Sequence, residues 1–143
     1  MPEAQVFVFF YGSYMNRAVL AEVGLAPTTW AAASLLGFDI RIAPRANLVR
    51  APGQVVFGVL ASATHGELER LYAHAQTVLG EVYLPEAMLV HTEGGGWQPA
   101  LCYLASRMVE RPAERAYVER ILQPARELGF PAWYLARLES FRP

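Results

Sequence analysis

Apolar residues fill the chain from Val6 to Phe10 almost without interruption and then stop at Tyr11-Gly12-Ser13. A run of this length bounded by a glycine turn predicts a buried strand over residues 5–11. Directly after it, Met15, Val19, Leu20 and Val23 recur at helical spacing, and Gly24 is placed to end that helix as its C-cap. Residues 28–43 read as one long strand-like stretch broken near Gly37. Residues 46–62 read as a hairpin turning at Ala51-Pro52-Gly53, with the returning strand from Gln54 to Ala61. Thr64 followed by Glu67 is a capping box, and the helix it opens carries Leu68, Leu71 and Ala75 on one face.

The second half of the chain repeats the mixture. "VYLPEAMLVHTE" and "WQPALCYLA" read as two strands joined across Gly94-Gly95-Gly96, the first made irregular by Pro85. Residues 112–129 form an amphipathic helix, kinked or ended at Pro124, and a short last helix has Pro131 in its first turn. Short paired strands interleaved with helices suit one α+β domain over residues 1–143, with a short mixed sheet, better than a doubly wound parallel one.

Composition removes several classes of function. The chain has 143 residues, 54% of them hydrophobic, and a net charge of −1. It can bury a sizeable core. It has no basic excess to attract nucleic acid or an anionic membrane. No apolar run is long enough for a membrane span, and the opening "MPEAQVFVFF" lacks the basic region and cleavage site of a signal peptide. A cytoplasmic location is therefore expected. All 12 basic residues are arginine, so lysine Schiff-base chemistry and a Walker-A phosphate loop are excluded. Cys102 is the single cysteine, and His65, His74 and His91 are scattered, so no internal disulfide, thiolate zinc site or H-x-x-x-H pair is expected. No G-x-G-x-x-G follows a strand. Neither metal nor cofactor is expected.

The remaining candidate chemistry lies at Tyr11-Gly12-Ser13. A strand that ends in a glycine turn and enters a helix exposes unpaired N–H groups, which suit a carboxylate. Gly12 permits close approach of the backbone, and Ser13 is either a hydroxyl donor or the cap of the helix. The plainer reading is a strand-to-helix turn and nothing more.

Several segments, in order along nearly the whole chain, resemble the gamma-glutamyl cyclotransferase-like family, including its AIG2-like members. "VFVFFYGSYMN" resembles that family's first strand and Tyr-Gly-Ser loop. Val56-Phe57-Gly58-Val59 resembles its Val-x-Gly-Val strand. Tyr83 to Val90 and "LCYLA", with Tyr103 at its centre, resemble two later strands, and "GFPAWYLARLESF" its closing segment. The resemblance implies a mixed sheet curled into a barrel-like cleft with flanking helices and the Tyr-Gly-Ser loop at its mouth. It implies an enzyme acting on a gamma-glutamyl amine or peptide. The substrate's own α-amine attacks its side-chain carbonyl, releasing the amine and 5-oxoproline, while one glutamate carries the proton. The implied ligand contacts are Tyr11, Gly12, Ser13, Tyr14, Tyr83 and Tyr103; as strand tyrosines, Tyr11, Tyr83 and Tyr103 are equally core residues with satisfied hydroxyls.

The resemblance breaks at the proton carrier. Where the family has L-x-x-L-D-x-x-E, this chain has Leu68, Leu71, Tyr72 and Ala75, or Gln76 if one residue is inserted. Neither alanine nor glutamine is a base. Tyr14 also replaces the usual asparagine after the serine. Two residues are candidates for the missing role: Glu81, in the loop leaving the helix, and His74, within it. The alternative is a family member that binds a small carboxylate, or a protein, without turnover. The aromatic segment from Phe130 to Phe141 reads as packing, with a homodimer face as the other possibility.

Overall fold

The computed structural model describes residues 4–143. The first three residues, part of the expected domain span and of the segment weighed as a leader, lie outside the described residues. Among the described residues, five strands and four α-helices are mixed in one sheet-and-helix assembly: β1 (Gln5–Phe10), α1 (Arg17–Val23), β2 (Trp30–Ile42), β3 (Ala46–Thr64), α2 (His65–His74), β4 (Leu84–Thr92), β5 (Trp97–Leu104), α3 (Arg115–Glu127) and α4 (Ala132–Glu139). Among the described residues no helix is long and apolar enough to cross a membrane.

The strand order β1-β3-β2-β4-β5 closes on itself because β5 returns to lie parallel to β1, with Val8 opposite Leu101 and Phe9 opposite Cys102. All other neighbours are antiparallel. The seam between β2 and β4 is short, made by Ala33–Thr92 and Ser34–His91. The expected α+β architecture with a mixed, curled sheet is the one observed.

The expected hairpin at Ala51-Pro52-Gly53 is not there. β3 runs alongside β2 on both sides of that segment, Leu36 pairing with Val55 and Phe38 with Arg50. Residues 51–54 bulge out opposite Gly37, whose φ of 85° bends β2 at the same level. The hairpin turn lies instead at residues 43–45, between β2 and β3.

Gly58 shows why β3 needs a glycine. A Cβ there would meet the Phe10 carbonyl oxygen at 2.3 Å and the Phe9 ring at 2.6 Å. β1 thus lays Phe9, wholly buried, directly over the β3 backbone. Helix ends follow local chemistry. Thr64 and Glu67 form the reciprocal capping box, and Gly24, with φ of 81°, closes α1. Helix α3 does not end at Pro124; it continues to Glu127 with Pro124 buried inside it.

Candidate functional site

The loop after β1 does not enter a helix at Ser13. Residues Ser13–Met15 make a single 3₁₀ turn, and α1 begins only at Arg17. Asn16 is the cap, its Oδ1 accepting the Ala18 N–H at 3.0 Å. Ser13 is buried, and its hydroxyl lies against that of Tyr117. Within the turn, Met15 N–H reaches the Gly12 carbonyl and Asn16 N–H the Ser13 carbonyl, both at 3.0 Å. No acceptor among the described residues takes the N–H groups of Gly12, Ser13 and Tyr14.

Gly12 owes its identity to packing. A Cβ at this position would stand 2.7 Å from the Cβ of Ala46 at the start of β3. The glycine lets the loop lie flat on β3, which brings it to the hydroxyl of Tyr117 on α3; that hydroxyl accepts the Ala46 N–H at 2.9 Å.

Above this loop is a narrow cavity of about 40 Å³. At about 10–15 Å³ per water, that is the space of a few waters or of one carboxylate group. Its walls come from the end of β1 and its loop, Ala46, the second half of α2, and Tyr83, Tyr103 and Tyr117. Six of the chain's seven tyrosines line it: Tyr11, Tyr14, Tyr72, Tyr83, Tyr103 and Tyr117. Burial raises the pKa of every one of them, so all stay neutral phenols at physiological pH. Among the described residues no carboxylate, histidine or arginine is part of the lining.

The phenols are not equivalent. Tyr11 donates to the Tyr103 carbonyl, and Tyr83 to the Ala46 carbonyl at 2.5 Å. Their protons are committed to the backbone, so toward the cavity they offer lone pairs. The Tyr103 hydroxyl is enclosed, and its neighbour is the hydroxyl of Tyr72, whose ring packs edge-on against its own at 4.7 Å; the two hydroxyls interact without forming a well-aligned hydrogen bond. Tyr14 points its hydroxyl at His74 Nδ1, 2.9 Å away, and at the Leu71 carbonyl, 3.3 Å away.

Both candidate proton carriers stand outside the lining. His74 lies behind Tyr14 and touches the cavity only through that phenol. Glu81 lies on the far side of the segment from Gly80 to Leu84, in an open groove with Ser106, Arg107 and Met108. Its charge nevertheless contributes to the raised pKa of Tyr83 and of Tyr117, behind the effect of burial and of closer groups. Among the described residues it is the one carboxylate whose field is felt by the cavity's tyrosines.

Ala75, buried, forms part of the wall, whereas Gln76 is exposed. After His74 the helix widens into a π-turn, Ala75–Leu79, the form that one extra residue takes in a helix. Gly80 then closes it with φ of 77°, and Arg45 Nε holds the Leu79 carbonyl at 3.1 Å while its guanidinium lies over the Tyr117 ring.

Ala46, Tyr72 and Tyr117 escape a reading of the sequence. Tyr72 and Tyr117 sit in helical patterns, where an aromatic reads as packing, and only the three-dimensional fold turns them to one cavity. Cys102 is buried in β5 with its thiol pushed up to about 12, as an inert core thiol requires. No group of acidic, histidine or cysteine side chains among the described residues could hold a metal ion.

No family model matches the sequence, and no curated protein matches it significantly. Solved structures do. A human protein of uncharacterised function superposes with a TM-score of 0.85 at 22% identity, over 99% of this chain and 90% of the other. A gamma-glutamyl cyclotransferase superposes with a TM-score of 0.78 at 22% identity, over 98% and 89%. A yeast gamma-glutamyl cyclotransferase specific to glutathione gives a TM-score of 0.67 at 14% identity, over 97% and 96%. The chain has the gamma-glutamyl cyclotransferase-like fold.

Proposed function

We propose that the cavity binds the amino-acid head of a gamma-glutamyl compound, or a similarly small carboxylate, and that any turnover to 5-oxoproline is slow. One observation carries this reading. A single cavity gathers unpaired backbone N–H groups at Gly12–Tyr14 and acceptor phenols at Tyr11 and Tyr83. The N–H groups suit a carboxylate, and the phenol lone pairs suit an ammonium.

The reaction has a simple balance. The α-nitrogen attacks the γ-carbonyl carbon, the bond from that carbon to the leaving nitrogen breaks, and two protons pass in turn from the α-ammonium to the leaving nitrogen, which departs as an ammonium while the lactam keeps one N–H. Ring closure is intramolecular, so holding the head in place supplies much of the acceleration. A base in the wall would supply about 10²–10⁴-fold more, and Ala75 supplies none. Glu81 is our candidate for the residual proton transfer, through movement of the loop after the π-turn.

Calorimetric titration with gamma-glutamyl amines and 5-oxoproline, paired with an assay of 5-oxoproline release, tests the reading. Binding at millimolar concentration with slow release is expected, and Glu81→Gln should reduce that release further. No heat and no thermal shift across the panel would sink the site and favour a protein-interaction domain.

A further inference from the structure

The cavity in its present form, about 40 Å³, is smaller than the ligand just proposed for it, and Tyr14 is part of its wall. Tyr11, Tyr83 and Tyr117 are each tied to the backbone of a strand, through the carbonyl of Tyr103 or the N–H and carbonyl of Ala46. These phenols move only if the sheet moves. Tyr14 is held differently. It stands on an isolated 3₁₀ turn, is only partly buried, and is tied to a half-exposed histidine on the last turn of α2 and weakly to the Leu71 carbonyl. Its ring packs against His74, centroids 5.8 Å apart, and against Phe10 at 6.1 Å. The contact thus joins the loop carrying the free N–H groups to the helix that forms the opposite wall.

We infer that Tyr14 is a latch, held by His74, that sets the length of ligand the cavity accepts. The inference rests on the reading of the cavity as a carboxylate site. With the latch closed, about 40 Å³ admits a carboxylate the size of acetate. A gamma-glutamyl head fits only when Tyr14 leaves His74. Its measured affinity is then reduced by the fraction of molecules whose latch is open, whereas acetate carries no such penalty. Tyr14 and His74 are positioning residues for the longer ligand.

The ratio of two affinities reads the latch directly. Acetate and gamma-glutamylmethylamide are titrated into the wild type, Tyr14→Phe, His74→Ala and His74→Asn. Tyr14→Phe and His74→Ala should each bind gamma-glutamylmethylamide about 2- to 10-fold tighter relative to acetate, the effect of one net neutral hydrogen bond, and His74→Ala, which lies outside the lining, should leave acetate unchanged. His74→Asn, whose amide can hold the phenol in the same place, should restore the wild-type ratio. A ratio that stays constant across all four proteins, or both ligands weakened alike, overturns the latch while leaving the carboxylate site standing. If no protein binds either ligand, the site itself is wrong and the latch falls with it.

Discussion

The side chain of Asn16 donates from Nδ2 to the carbonyl of Arg120 at 3.3 Å, four residues before Pro124. That carbonyl would ordinarily take the N–H of residue 124, and proline has none. Asn16 Oδ1 meanwhile accepts the Ala18 N–H. One amide therefore caps α1 and satisfies the gap that lets α3 run through its proline.

Asn16→Ala should lose both bonds and cost about 1–2 kcal/mol, the upper half of the usual range for a lost cap. Asn16→Asp keeps the cap and loses only the donor to Arg120, so it should cost less. In a Pro124→Ala background the helix regains its own N–H for that carbonyl, so the penalty of Asn16→Asp should shrink. Urea denaturation of the wild type, the two single variants Asn16→Asp and Pro124→Ala, and their combination measures this coupling. Equal penalties in both backgrounds would mean that the Arg120 contact contributes nothing.

Gly12→Ala should destabilise the fold by about 1–3 kcal/mol, because the new methyl meets Ala46 at 2.7 Å and both atoms are fixed by backbone. Ala46→Gly in the same chain removes the collision and should recover most of the loss in a thermal or urea melt. A failure of the second change to rescue the first would show that the contact with Ala46 is not what requires glycine at position 12.

The tyrosines predict alkaline behaviour. All seven have pKa values raised from 10.0, burial being the first cause, and Cys102 is raised from 9.0 to about 12. The folded chain therefore holds protons that the unfolded chain releases. The stability contributed is intact below about pH 9 and falls as pH rises beyond it. Phenolate absorbance should rise in one cooperative step that coincides with loss of the fold. A gradual titration centred on about pH 10 in the folded protein, the range of a free phenol, would contradict the buried, neutral cavity.

Ala75→Glu places a carboxylate in the wall, where desolvation raises its pKa toward neutrality. It should cost stability and raise 5-oxoproline release by about 10²–10⁴-fold. Unchanged release in a variant that still folds and binds would show that a missing base is not what limits the reaction.

Local signals in this sequence hold where no distant contact competes with them. The Thr64–Glu67 box and the Gly24 cap lie within a few residues of what they govern, and both stand as read. Ala51-Pro52-Gly53 carries turn chemistry just as local, yet it forms a bulge because β2 continues past Gly37 and keeps β3 extended on either side. Ser13 reads as a cap and Pro124 as a helix end for a related reason: Asn16, which overrides both, reaches its second partner only in the folded chain. Tyr11, Tyr83 and Tyr103 reach the cavity from strands and their ends, where the resemblance points. Nothing in a helical pattern marks Tyr72 or Tyr117 as their companions.

The two short seams of the sheet set an order in time. β2 with β3 and β4 with β5 are hairpins that need only neighbouring chain, whereas the parallel join of Val8–Leu101 and Phe9–Cys102 draws together segments from opposite halves. Contacts so far apart in sequence form late. During synthesis β1 can find β3 early, but its other edge stays bare until residues beyond Trp97 have emerged. The strand that ends beside Tyr11 is thus laid down first and enclosed last, and the cavity exists only once the ring has shut.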